Sequence, residues 1–544
     1  MDIINIKKAI GFISILLIII ACKNNEAKFI GVVSSATPEA TNVGKQIFLK
    51  GGNAVDVAVA VSFALGVTEP AMSGLGGGTQ VILSLKNQVP ISINGTTLSP
   101  FETPLNVKDT LSYHRRSTIP STVKVLDHIW RNYGSGKILW EELLKPAIDL
   151  AENGFSIGKF RANVYHKYSE KLLASSHNAS FFLNTNEQIP NEGDTIKQPV
   201  LAKTLRRLAK FGADDFYKGE IAQNIANDMK DNGGWIRLDD LKNFPVPPEV
   251  KPLSIQYKDH IIYSQPPPCG GWTALLALNL IKEQSPEDHV SKEAIINALF
   301  LAHNDRMNIP VRNLIKNDSI LKVKLSDNYA KTLLTKSITD TVRTKMKKKS
   351  GETTHFSVVD TYGNAIGVTS SINAYFGALA ASKNLGFLYN TYMDDFIFEE
   401  PEHPFAIRPN AMAYSSMSPT IVQEKGKNVL VLGSPGSSRI ISTVAQITAK
   451  WVEQNDIYTI IKEPRIHVSK NRIYLENESD TARIDLSLFD INNLYYRSPN
   501  KSLLIEDFLN PYFGGVNAIA KENSLWIGVA DPRRDGKAII VHSN

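Results

Sequence analysis

Cysteine is nearly absent: 544 residues contain two, Cys22 and Cys269. They lie far apart, which excludes a disulfide framework. No CxxC pair or His/Cys cluster is present, so the familiar zinc-site spacings are missing too. A charge excess of one sign is also missing. Sixty Lys and Arg against 54 Asp and Glu leave a net +6. That surplus is scattered, and no alternation of basic and aromatic residues marks a nucleic-acid surface. Long hydrophobic runs are absent except at the N-terminus, where residues 9–21 are too short for a comfortable transmembrane helix. There is no internal repeat. The Gly74-Leu75-Gly76-Gly77-Gly78 stretch fits neither the dinucleotide fingerprint nor a P-loop. What remains is an ordinary globular composition, 43% hydrophobic and 21% charged. The length is ample for a large core and suggests two to four domains.

The N-terminus reads as a targeting segment. Lys7 and Lys8 precede the apolar run, the pattern of an export signal. Ile19-Ile20-Ala21-Cys22 resembles a bacterial lipobox, in which the signal is cut before a cysteine that is then acylated. Residues 1–21 are therefore expected to be removed and Cys22 to carry a lipid anchor. This would place the protein on a bacterial membrane, periplasmic or at the cell surface. The plainer alternative is an ordinary signal peptide with an incidental cysteine.

Further along, FIGVVSS from Phe29 predicts a strand. A helix is predicted over 38–49, ended by Gly51-Gly52. The stretch after Asn53, AVDVAVAVSFALGV, is apolar nearly all round and predicts a buried helix. TQVILSL predicts another strand. Residues 120–280 read mostly as amphipathic helices, broken by the Pro266-Pro267-Pro268-Cys269-Gly270-Gly271 stretch. Residues 283–350 read as polar, helical and lysine-rich. The run Lys345, Lys347, Lys348 and Lys349 reads as a solvated loop, accessible to chain cleavage. After Thr353 the texture changes to strands and turns.

The segment GETTHFSVVDTYGNAIGVTSSIN, 351–373, predicts a hairpin. Its turn is Asp360-Thr361-Tyr362-Gly363-Asn364, with Gly363 able to take positive φ. With a three-residue loop, 361–363, Thr353 falls opposite Ser371, and Ser371 shares a face with Asn373. A threonine hydroxyl is a poor nucleophile without an adjacent base. An N-terminal threonine has one in its own α-amine, whose ordinary pKa is about 7.7–8.0. Cleavage between Glu352 and Thr353 would generate it. On this segment alone, strand propensity explains the threonines as well.

A set of motifs along the chain changes that balance. GGNAVDVAVAVSFALGVTEPAMSGLGGG (51–78), LLKPAIDLAENGF (143–155), FYKGEIA (216–222), TTHFSVVDTYGNA (353–365), MDDF (393–396), SSMSPTIV (415–422), GSPGSSRI (433–440), EPRIH (463–467) and DPRR (531–534) occur in this order. Together they resemble the γ-glutamyltranspeptidase, or glutathione hydrolase, family from about residue 28 to the C-terminus. The resemblance implies an α+β, four-layer αββα N-terminal-nucleophile hydrolase fold. It implies one precursor that cuts itself into a large subunit, 22–352, and a small subunit, 353–544, which stay together as one fold. It implies no metal and no organic cofactor. Its donor would be a γ-glutamyl or related amide, and its acceptor water or the amine of an amino acid or peptide. Carried residue by residue, Thr353 matches the nucleophile and Ser371 a hydroxyl that hydrogen-bonds it. Asn373 matches a substrate-contacting asparagine, and Asp395 the partner of the substrate α-ammonium. Asp394-Asp395 also reads as a loop-capping pair. Ser415 and Ser416 match serines at the substrate carboxylate. Gly436 and Ser437 match the oxyanion-hole amides, each typically worth about 3–4 kcal/mol.

Three departures bear on substrate. Where the family has a carboxylate-binding arginine, this chain has Thr96. Losing such a charge-assisted hydrogen bond costs about 1.5–3 kcal/mol. Arg115, Arg116 and Arg408 are the candidates for replacing it. Tyr392 stands where a glutamine is usual, and Ser437 where a glycine is. Residues 396–414 form a short segment for a lid. The leading expectation is a γ-glutamyltransferase or glutathione hydrolase. The alternatives are a same-fold acylase for glutaryl or poly-γ-glutamate amides, and a lipid-anchored binding protein that never processes. Cys269 reads as a packing residue, His355 as a strand residue, and Arg465 and His467 as structural.

Overall fold

The computed structural model describes residues 27–335 and 351–543, apart from short stretches at 106, 108–110, 176, 178–181, 185, 187, 286–288, 309–310, 313, 470–471, 478–494 and 497–508. The signal segment, Cys22 and the 345–349 lysine run lie outside the described residues.

Two antiparallel sheets stack face to face. The seven-stranded sheet runs, edge to edge, Lys537–His542, Phe29–Ser35, Glu352–Asp360, Ala365–Asn373, Gly78–Ser84, Ile91–Gly95 and Glu249–Val250. The six-stranded sheet runs Leu525–Ala530, Asn517–Glu522, Lys427–Gly433, Thr420–Glu424, His260–Ser264 and Leu253–Tyr257. Strand alternation assigns the faces. Val32, Ile82, Val359 and Ala365 meet Tyr263, Ile421, Val431 and Ile519 between the sheets. Their neighbours Val33, Val81, Phe356 and Val358 point the other way, into a helical layer. Leu430, Leu432 and Ala518 do the same from the second sheet. The order is helices, sheet, sheet, helices. Each fully buried Val, Leu or Phe in these layers contributes about 1.5–3 kcal/mol.

The predicted elements of the first hundred residues are present. The strand is Phe29–Ser35 and the first helix Pro38–Leu49. The apolar segment forms helix Ala54–Thr68, buried along almost its whole length. Asn53 caps it, its Oδ1 accepting from the Val55 and Asp56 amides at 2.9 and 3.0 Å. Asp56 closes the capping box by accepting from the Asn53 amide at 3.0 Å.

The hairpin carries the predicted three-residue loop. Asp360 N donates to Asn364 O at 3.1 Å, and Gly363 has φ +81°. Register holds from Ala365↔Val359 to Ser370↔Thr354, then slips, so that Asn373 pairs with Glu352. Ser371 pairs with Gly78 on its other side. Thr353 and Ser371 are therefore not a simple cross-strand pair, because an irregularity at the strand end re-aims the backbone there.

Two other expectations are corrected. The region read as helical contains strands Leu253–Tyr257 and His260–Ser264. The region read as strands and turns contains the 16-residue helix Arg439–Gln454. Its Ile440, Val444, Ile447 and Trp451 follow helical spacing, a local signal the change of texture obscured.

The two central strands come from after residue 352 and are flanked by strands from before residue 95. The two parts of the chain thus share one sheet and one core.

Candidate active site

The site lies where the two central strands begin and end. Gly77 brings the neighbouring chain against it: a Cβ there would stand 2.4 Å from the Ser371 carbonyl oxygen. The glycine-rich stretch is thus a close-packing device rather than a phosphate cradle.

Thr353 is buried. Its hydroxyl donates to Ser371 Oγ at 3.4 Å, and the Ser371 hydroxyl donates to the Glu352 carbonyl oxygen at 2.5 Å. The Asn373 amide donates to the same Ser371 oxygen at 2.8 Å. Ser371 therefore has a fixed polarity, accepting on two sides and donating to the carbonyl of the Glu352–Thr353 peptide. The Glu352 side chain is buried as well. Arg439 Nη2 reaches its Oε1 at 3.1 Å and Arg534 Nη2 its Oε2 at 2.8 Å. Behind the strand, Glu69 is 1% exposed, and burial pushes its carboxyl up to about 7 despite the Arg534 charge nearby.

A narrow cavity opens beside Thr353. Ser371, Asn373, Asp395, Ser415, Ser416 and Ser437 all contribute to its wall. Asp394 and Asp395 are separated by role: Asp394 is bound by Arg116 at 2.5 Å, whereas Asp395 faces the cavity. Asn373 is held by its Nδ2, which donates to Thr391 O at 3.1 Å. Tyr392 also lines the cavity, its phenol raised by burial.

Gly436 and Ser437 follow strand Lys427–Gly433 and precede helix Arg439–Gln454. Gly436 has φ +119°, which requires glycine. Ser437 has φ +59°, a left-handed conformation a serine reaches at a cost of about 1–2 kcal/mol. Their amides sit at the positive end of the helix dipole. Ser437 lines the cavity.

None of the three candidate arginines, Arg115, Arg116 and Arg408, lines the cavity. Arg116 is committed to Asp394. Arg115 donates to Gly233 O at 3.4 Å and Arg408 to Pro401 O at 3.1 Å, both exposed. Thr96 is buried among amides, accepting from Gln80 Nε2 at 2.9 Å and donating to Asn94 Oδ1 at 2.6 Å. Sequence reasoning missed Arg306, from helix Lys292–Asn308. It is 3% exposed, and its Nη1 donates to Ser416 Oγ at 3.2 Å and its Nη2 to Ser415 O at 2.5 Å. No local spacing singles it out; the region read as polar in fact buries Ile295, Ile296, Leu299 and Leu301 of this helix in the core, and Arg306 goes in with them.

The residues given bland readings behave accordingly. Cys269 is fully buried and its thiol is pushed up to about 12 by burial, so it is no thiolate. His355 lies between the sheets against Thr369 and Ser357, its pKa lowered to about 3 by burial. Arg465 binds Asp531 at 2.5 Å and His467 contacts Ser442 at 2.8 Å, both buried.

The sequence matches the model of the gamma-glutamyltranspeptidase family over residues 40–541. Glutathione hydrolase proenzyme of Escherichia coli is 33% identical over 477 residues, 80% of each chain. The glutathione hydrolase proenzyme of Bacillus subtilis is 30% identical over 551 residues, 94% of this chain and 91% of the relative. The capsule biosynthesis protein CapD proenzyme of Bacillus anthracis is 29% identical, covering 93% of this chain and 89% of the relative. Among solved structures, cephalosporin acylase from Bacillus halodurans superposes with a TM-score of 0.81 at 21% identity, covering 94% of this chain and 96% of the other. That likeness speaks for a shared fold.

Proposed function

The chain belongs to the gamma-glutamyltranspeptidase family and has the N-terminal-nucleophile hydrolase fold, and on that footing we propose that Thr353 is the nucleophile of a self-processing γ-glutamyl amidohydrolase and acyltransferase. The observation that carries this reading is the relay from the Thr353 hydroxyl through Ser371 to the Glu352 carbonyl oxygen. In the precursor, Thr353 Oγ1 attacks the Glu352 carbonyl carbon. A C–O bond forms, the C–N bond breaks, and the nitrogen takes the hydroxyl proton. Water then hydrolyses the ester, leaving a Glu352 carboxylate and an N-terminal Thr353. Ser371 assists by donating to the oxygen on which negative charge develops.

In the mature enzyme the Thr353 α-amine takes the hydroxyl proton as Oγ1 attacks a substrate amide. The tetrahedral oxyanion is held by the Gly436 and Ser437 amides. The leaving amine takes the proton, and water or an acceptor amine releases the acyl group. Asp395 binds the α-ammonium, Ser415 and Ser416 the carboxylate, and Asn373 positions the substrate. Glutathione and related γ-glutamyl amides are the donors this site suits. A second reading, a poly-γ-glutamate or glutaryl amide, draws support from Thr96, which brings no charge. The relationship to the capsule biosynthesis protein points the same way.

Export and acylation of Cys22 belong to the same proposal and rest on residues 7–22. No helix among the described residues is long and apolar enough to cross a membrane. Intact mass spectrometry of the purified protein tests both points, with Thr353→Ala alongside. The expected result is two wild-type pieces meeting between Glu352 and Thr353, the first beginning at an acylated Cys22. A wild-type chain that stays whole would favour the binding-protein reading.

A further inference from the structure

Arg306 has an unusual setting for a buried arginine. Its guanidinium is 3% exposed, yet among the described residues no carboxylate lies within ion-pair distance. The adjacent Asp305 is taken by Lys324 and by the Tyr329 hydroxyl at 2.6 Å. Arg306 instead spends its donors on the serine pair, at Ser416 Oγ and Ser415 O, and stacks over the Tyr414 ring at 4.2 Å. A buried cation without an anion is costly, and a bound anion offsets that cost.

The polarity of the contact matters. Because Arg306 N–H donates into the Ser416 oxygen, that hydroxyl's own hydrogen is directed away from the guanidinium. Ser415 Oγ similarly accepts from the Met417 amide at 3.2 Å. Both serines line the cavity. Buried Cys269 lies in the field of Arg306. The positive charge comes from helix Lys292–Asn308. Asp395 lies in the electrostatic reach of Arg306. Together they make one negative and one positive end, the complement of an α-ammonium and a carboxylate on one carbon.

We propose that Arg306 is the positioning and charge-supplying residue for the donor's carboxylate, acting through Ser415 and Ser416 in place of the arginine absent at Thr96. This rests on the reading of Thr353 as nucleophile and of the cavity as the acyl-donor site. It deepens that reading: the donor carries an α-amino-acid head group rather than a bare acyl chain.

Binding reads the proposal without turnover. Titration calorimetry with L-glutamate and 4-aminobutyrate, which differ by the carboxylate, is run on the wild-type protein, Arg306→Gln and Arg306→Lys. Glutamate is expected to bind the wild type at least tenfold tighter than 4-aminobutyrate. Arg306→Gln is expected to lose that preference and Arg306→Lys to keep part of it. Equal binding of the two ligands by the wild type overturns the proposal with no variant needed, which covers failure of a variant to fold. A preference intact in folded Arg306→Gln overturns it too, as does an equal weakening of both ligands, the mark of a merely structural role. Failure of the nucleophile reading shows separately, as uncut chain in the mass spectrum, and leaves the ligand comparison readable.

Discussion

The Ser371 hydroxyl donates to the Glu352 carbonyl oxygen at 2.5 Å, from the strand beside the one that carries the candidate nucleophile. One hydroxyl therefore touches both the Thr353 hydroxyl and the Glu352 carbonyl, the two groups that the proposed self-cleavage joins. Its effect should appear twice, in maturation and in turnover. Ser371→Ala is expected to slow appearance of the two pieces by about 10²–10³-fold, the usual loss for one oxyanion donor. Ser371→Thr keeps the hydroxyl and should stay within about tenfold of wild type. A time course of cleavage on denaturing gels checks this, and an alanine variant that matures at the wild-type rate contradicts it.

Glu352 is held by two buried arginines, Arg439 and Arg534, and all three side chains are less than 10% exposed. Removing one partner leaves charge poorly compensated in a low-dielectric site. Arg534→Ala is expected to cost about 3–5 kcal/mol of stability in the uncut chain. Urea denaturation in the Thr353→Ala background measures it without interference from cleavage. A loss below about 1 kcal/mol would mean that the clamp is solvated.

Glu69 predicts a pH dependence of unusual sign for a carboxylate. Burial raises it from 4.5 to about 7 in the fold. Between these values the folded chain holds a proton that the unfolded chain has released. Stability conferred relative to an ionised site is present below about pH 4.5, falls as pH rises, and levels off above about 7. The span corresponds to about 3 kcal/mol. Glu69→Gln should remove this slope, gaining on wild type at pH 8 and little at pH 4. Parallel unfolding curves for the two proteins across that range would show that Glu69 titrates in the fold as it does in the unfolded chain.

Much of this was legible in the sequence because it is local. Asn53 followed by an apolar run dictates a capped, buried helix. A loop of three residues ending in Gly363 fixes hairpin register as far as Ser370 and so brings Thr353, Ser371 and Asn373 near one strand end, while the slip beyond Ser370 was not readable from period two. Ordered motifs supplied the family and with it Asp395, Ser415 and Ser416. Other features were decided only by the fold. Arg306 and Ser416 are 110 residues apart, and Glu352 and Arg534 are 182 apart. Sequence could name Arg115, Arg116 and Arg408 as candidate replacements but not place them, and in the fold they contact Gly233, Asp394 and Pro401 respectively. Spacing along a chain reports which residues share a face of one element. Which faces meet is set by how helices and sheets pack, and a buried charge finds its partner only there.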